Sequence, residues 1–176
     1  MLLTFKEIAT EIIKEIQSSG LVDSNVQIIN GYDLFKIPES ALTFPRMIVY
    51  FDNYNDSEYD YSESKYNEIN DSVDFTFEKI PRLLYSIKFF NDINNGVDIL
   101  QQATNLHRDY SNPYKKHLDG SIQIIHTGSI LDVKSPVDYD YIEAYQFSIE
   151  FDMSEKTTEQ IDYADHAEFR VENKLI

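Results

Sequence analysis

Four histidines, thirty-one acidic side chains and no cysteine bound the chemistry open to this 176-residue chain. His107, His117, His126 and His166 never recur at the three- or four-residue spacing that places two ligands on one helix face. A zinc site would therefore have to be assembled from distant segments and without thiolates. Carboxylates recur at strand spacing, Asp138 with Asp140 and Glu150 with Asp152, so each pair would share one exposed strand face. A glycosidase needs two facing carboxyl groups, but no further feature singles out either pair for that work. The run beginning at Asp52, or again at Asp56, starts like a calcium loop yet lacks the turn glycine and the closing glutamate. With five glycines, the chain has no Gly-x-Gly-x-x-Gly, no phosphate-cradling Gly-Lys-Ser/Thr and no Gly-x-Ser-x-Gly elbow. The expectation is a protein with no catalytic residues, no metal and no cofactor.

Charge narrows the partners. Fifteen Lys and Arg against thirty-one Asp and Glu give a formal charge of −16, which opposes tight binding to a phosphate backbone. Such a chain could bind a basic partner, mimic nucleic acid, or line a passage through which nucleic acid slides without sticking. Hydrophobic residues make up 42%, enough for a globular core, and no run approaches the roughly twenty apolar residues of a membrane span. The start of the chain lacks a basic region followed by an apolar core, so a soluble protein without membrane contact is expected.

The segment best able to position side chains is 139–153. Tyr139, Tyr141, Tyr145, Phe147, Ile149 and Phe151 hold the odd positions, with Glu143 the exception, and Asp140, Ile142, Ala144, Gln146, Ser148, Glu150 and Asp152 the even ones, the period of a strand with one buried face. Fifteen residues at about 3.3 Å each would span about 50 Å, longer than a small domain needs. Tyr141, Tyr145, Phe147, Ile149 and Phe151 form the expected core row. Asp138, Asp140, Glu150 and Asp152 form the expected assembly or lumen face.

The other elements fall around it. Residues 3–19 read as a helix, with a Thr4/Glu7 capping box, a stripe of Phe5, Ile8, Ile12, Ile13 and Ile16, and Gly20 at the stop. Strands are expected at 26–29, 46–51, 73–77 and 80–90, and a helix at 97–110 followed by a basic loop with Lys115, Lys116 and His117. Segments 121–125 and 129–133 read as one strand, interrupted at 126–128 by a glycine-marked bulge, and pair with 139–153 as a long hairpin. Residues 52–72 hold seven acidic residues, four Tyr and four Ser with a single Lys, and read as an acidic interaction loop carrying Asp52, Asp56, Glu58, Asp60 and Glu63. A helical turn is expected near 157–163, and Ala167, Phe169 and Val171 suggest a short last strand. The fold class is α+β: a mixed, largely antiparallel sheet with an N-terminal helix and a second helix packed on one face, and a long C-terminal hairpin. It is read as a single domain over 1–176, with a core at about 3–153, the loop 52–72 and an extension at 154–176.

Three pieces carry a family likeness. They are Phe44-Pro45-Arg46-Met47-Ile48-Val49-Tyr50; Leu84 to Phe90 with its Asn/Gly turn and Val97-Asp98-Ile99-Leu100-Gln101-Gln102-Ala103; and Gly120-Ser121-Ile122, then Ile130-Leu131-Asp132-Val133, then Asp140-Tyr141-Ile142-Glu143-Ala144-Tyr145-Gln146-Phe147-Ser148-Ile149-Glu150-Phe151. In order, spacing and character they resemble the tail-terminator or neck-terminator proteins of tailed bacteriophages, over residues 41–172. The chain departs from that pattern where members often carry an Arg in the closing strand, here Glu143, Ala144 and Gln146, and in its longer, more acidic 52–72 segment.

The resemblance implies a ring-forming virion component, usually a hexamer, assembled in the host cytoplasm. The ring would cap a finished tail tube and meet the head-tail connector protein. Its partners would be itself, the tail tube protein and the connector, with DNA passing through as a repelled polymer. Six copies at −16 each carry about −96, which fits such a lumen. The alternatives are a tail-tube, head-completion or connector protein, and an acidic binding protein that mimics nucleic acid.

Overall fold

The computed structural model describes residues 4–55, 61–67, 72–79, 81–118, 122–133, 142–153 and 155–162. The chain divides into two compact units, Met1–Asn55 with Arg82–Met153, and Asp56–Pro81 with Ser154–Ile176.

The first unit opens with helix α1, Phe5–Ser19. Its capping box is complete: the Glu7 N–H donates to the Thr4 hydroxyl at 3.3 Å and the Thr4 N–H donates to the Glu7 carboxylate at 2.7 Å. Gly20 closes the helix with φ 67, a left-handed conformation that glycine adopts without penalty. The strands are β1 (Gln27–Asn30), β2 (Arg46–Asn55), β5 (Arg82–Asp92), β6 (Gln123–Thr127), β7 (Leu131–Asp132) and β8 (Ile142–Asp152), where β3 and β4 belong to the second unit. Their order is β1-β2-β5-β8-β6, with β7 also on β8. Only β1 and β2 run parallel among these pairs. Helix α2, Ile99–Tyr110, starts where the Asp98 side chain accepts the Gln101 N–H at 2.8 Å.

Register explains the core. Leu83 lies opposite Phe151, Tyr85 opposite Ile149, Ile87 opposite Phe147 and Phe89 opposite Tyr145, so odd positions of β5 and β8 share one face. Ile8, Ile12 and Ile16 of α1 and Ile99, Ala103 and Leu106 of α2 pack in the same buried cluster. Both helices thus cover one face of the sheet, as the stripe of α1 and the alternation of β8 require. Each fully buried large side chain contributes about 1.5–3 kcal/mol. The Tyr85 hydroxyl, inside this core, donates to the Phe5 carbonyl at 2.8 Å, and burial pushes its pKa upward.

The second unit is a three-stranded antiparallel sheet in the order β3-β4-β9, from Tyr61–Asn67, Ser72–Lys79 and Glu155–Asp162. Here the sequence reading is corrected. The stretch read as a loop over 52–72 is strand wherever it is described. Where a helical turn is expected near 157–163, residues 157–162 belong to strand β9, paired to β4, and 163 lies outside the described residues. Backbone pairing needs no aliphatic run, and Tyr61, Thr157 and Thr158 suit a pleated surface. The expected last strand at Ala167, Phe169 and Val171 lies outside the described residues.

Smaller shifts occur at element ends. The bulge on the edge strand lies between Ile124 and His126, and Gly128, whose N–H donates to the Ser148 carbonyl at 2.8 Å, begins the gap before β7. A Cβ at Gly128 would meet the Ser148 hydroxyl, so glycine allows this close approach.

Candidate assembly surface

Strand β8 divides its residues between two faces. Phe147, Ile149 and Phe151 are buried and Tyr145 is half-buried against the helix-side core. Glu150 and Asp152 stand on the opposite face, which β5 also lines with its even-numbered side chains and β2 with Arg46, Ile48 and Tyr50 ahead of its bulge. Asp138, Asp140 and Tyr141 lie outside the described residues.

That opposite face is a polar and aromatic surface. The Arg46 guanidinium lies over Phe44 at 4.5 Å and Phe90 at 5.5 Å, and the Lys88 ammonium lies over Tyr50 at 5.0 Å. Burial pulls the Arg46 pKa down, opposed by Tyr50, and burial raises the Tyr50 pKa, opposed by Arg46. The Ser86 hydroxyl donates to the Asp52 carboxylate and accepts from the Gln146 amide at 3.4 Å. Arg82 Nε sits 3.6 Å from Glu150 and 3.4 Å from Asp152. One guanidinium thus faces two carboxylates, and the patch repels anions less than two free carboxylates would.

The structure scatters the residues read as an acidic loop. Asp52 is the extra residue of a bulge in β2, where Phe51 faces Tyr85 and Asn53 faces Leu84. The bulge exchanges faces along the rest of β2, which brings Tyr54 to the Phe5 ring at 5.4 Å. Glu63 falls in β3 opposite Thr76. Asp56, Glu58 and Asp60 lie outside the described residues.

One cluster escaped the sequence reading. His117, expected on a surface loop, is 1% exposed, and its Nδ1 lies 2.6 Å from the Glu15 carboxylate. The Leu118 N–H donates to the other Glu15 oxygen at 3.1 Å, and the Tyr110 ring stacks on His117 at 4.6 Å. Burial works to raise the Glu15 pKa, but the hydrogen bonds from His117 and Leu118 and the charges of His117 and Lys115 outweigh it, so the net shift is downward. Burial, then the charges of Glu15 and Asp109, push the Tyr110 hydroxyl well up. Neither His117 Nε2 nor the Tyr110 hydroxyl has a hydrogen-bond partner among the described residues. A carboxylate–imidazole pair can move protons for a substrate only if its outer nitrogen is reachable. Sealed as it is, this pair clamps α1 to the segment after α2. A signal existed in the sequence: Glu15 stands seven residues after Ile8, on the apolar stripe itself.

His107 Nε2 lies 3.0 Å from the Gly128 carbonyl and its ring meets Phe147 edge-on at 5.4 Å, which is a packing role. His126 lies on β6 opposite Glu150, and His166 is outside the described residues. Among the described residues, no group of three or more His, Asp or Glu side chains is placed to hold a metal ion, and no helix is long and apolar enough to cross a membrane. No protein-family model matches the chain, and no curated protein is significantly similar to it.

Proposed function

We propose that this chain is a non-enzymatic structural component of a phage tail or neck, a terminator that assembles as a ring, caps the tail tube and meets the head connector. One observation carries the reading: a largely antiparallel sheet holds both helices on one face and presents Arg82, Glu150, Asp152 and the Arg46 and Lys88 aromatic pairs on the other. The order of strand, turn, helix and closing hairpin supports it, and so does the formal charge of −16, which suits a surface that DNA must pass without arrest. Specificity would come from matching a symmetric ring to a tube end, which needs no catalytic group.

The test is a tube-length assay with a purified tail tube protein, together with native mass spectrometry. A terminator binds tube ends, stops growth and forms a closed ring alone or on the tube. Self-polymerisation into tubes would favour a tube protein instead. A strict monomer that ignores tube ends but binds a basic host protein in a salt-sensitive manner would favour the nucleic-acid mimic.

A further inference from the structure

Among the described side chains three Lys or Arg are half-buried: Arg46, Lys88 and Lys115. Lys115 has its carboxylate, Asp109. Arg46 and Lys88 have none among the described residues, and the buried Arg46 Nε lacks any hydrogen-bond acceptor. The two are neighbours on the sheet face away from the helices, since Arg46 lies opposite Phe90 and Lys88 opposite Ile48 in the register of β2 with β5. Taking a cation part-way out of water is costly unless a carboxylate accompanies it, and a second like charge beside it adds to the cost. In a chain with 31 acidic and 15 basic side chains, this uncompensated pair points to a counter-charge supplied from outside.

Aromatic rings hold the cations in place. The Arg46 guanidinium lies over Phe44 at 4.5 Å and Phe90 at 5.5 Å, and rings against its faces use none of its in-plane N–H groups. Lys88 lies over Tyr50 at 5.0 Å. Past Phe90 the chain enters the 3-10 turn Ile93–Asn95, where the Asn95 amide donates to the Phe44 carbonyl at 3.0 Å and Ile93 is 52% exposed. Two cations and an apolar rim thus share one patch.

Carboxylates bound the patch along β5. Asp92 stands two residues past Phe90, and Asp52, held by the Ser86 hydroxyl, stands beyond Lys88 at the other end. About 20 Å of strand separates Asp92 from Ser86. A nucleic acid strand carries a phosphate about every 3.4 Å and would run into both carboxylates, whereas a single carboxylate on a protein segment fits between them.

We propose that the Arg46–Lys88 patch is a docking site for an acidic segment of a partner protein, whose carboxylate bridges the two cations while apolar side chains beside it cover Phe44, Phe90 and Ile93. Arg set among aromatic rings is the kind of residue that dominates an interface, and the opposite charge selects the partner. The proposal rests on the reading of this face as the assembly surface and names the chemistry of what binds there.

The test measures fluorescence anisotropy of three fluorescein-labelled probes with the full chain: an oligoglutamate peptide flanked by leucines, the same peptide with glutamine for glutamate, and oligothymidylate of equal length. At physiological ionic strength, charges more than about 8 Å apart are largely screened, so distant carboxylates of the chain do not mask the patch. The oligoglutamate peptide should bind saturably. Arg46→Gln and Lys88→Gln should each weaken it at least fivefold, and Lys116→Gln, which removes an exposed lysine elsewhere, should not. The glutamine peptide and oligothymidylate should bind at least tenfold more weakly. Circular dichroism and melting temperature check each variant, and if Arg46→Gln is unfolded, Lys88→Gln decides. No oligoglutamate binding, binding that survives both substitutions, or a preference for oligothymidylate overturns the assignment. If the wild type caps tubes but ignores oligoglutamate, the terminator reading stands and the patch is wrong. If it binds oligoglutamate through Arg46 and Lys88 but tubes grow unchecked, the patch stands and the terminator reading falls.

Discussion

Replacing Glu15 by Gln tests the buried clamp with a change of one heavy atom. Both carboxylate oxygens accept hydrogen bonds, from His117 Nδ1 at 2.6 Å and from the Leu118 N–H at 3.1 Å. Gln keeps one acceptor and turns an NH₂ toward the other donor, so one charge-assisted bond is lost. Hydrogen bonds to charged groups are worth about 1.5–3 kcal/mol, and losing one strands a buried donor. Glu15 also borders a cleft of about 470 Å³ with Lys14, Ser18 and Lys115, and screening there puts the expected loss near the lower end, about 1.5 kcal/mol. That corresponds to a fall in melting temperature of about 3–6 °C for a chain of this size.

The pH dependence follows from the same geometry. The Glu15 pKa is lowered in the folded protein, so the unfolded chain binds that proton more readily and stability rises with pH through the titration. The contribution is full above the ordinary carboxylate range and is lost as pH falls through the lowered folded value. Urea unfolding followed by tyrosine fluorescence, at pH 6.5, 4.5 and 3, should show the gap between wild type and Glu15→Gln at its largest at pH 6.5 and shrinking as the pH falls to 3. The other carboxylates titrate in both proteins and cancel in the difference. A gap that is absent, or that stays constant down to pH 3, refutes the assignment of Glu15 as an ionised acceptor.

The two faces of β8 should respond differently to substitution. Phe147→Ala empties a fully packed core position and should cost about 3–5 kcal/mol by chemical denaturation, whereas Glu150→Lys, beside Arg82, should cost less than about 1 kcal/mol and instead alter assembly on tube ends. Equal destabilisation by both would contradict the division of the strand. Among the glycines, Gly31→Ala should destabilise measurably, because its Cβ would lie 2.9 Å from the Val49 carbonyl and 2.7 Å from the Tyr50 ring. Gly128→Ala should cost less, since the one contact that is too close, the Ser148 hydroxyl, can rotate away. Thermal melts of the two variants distinguish them.

Local patterns were enough to define the elements whose cause is local. The Thr4/Glu7 cap, the Ile8, Ile12 and Ile16 stripe and the Gly20 stop specify α1 within a single local stretch, and alternation alone assigns Phe147, Ile149 and Phe151 to the core face of β8. The fold class and the hairpin of the closing strand follow from the same periodicities. What depended on distant partners was not legible. Strands β3 and β9 are polar, and they become strands because β4 offers each a partner edge, which no window of sequence contains. The bulge at Asp52, which turns an expected loop residue into an acceptor for Ser86, exists only in the register between β2 and β5. The Glu15–His117 clamp joins residues 102 positions apart, so the burial of a histidine that sits in a basic, loop-like run was decided by tertiary packing alone.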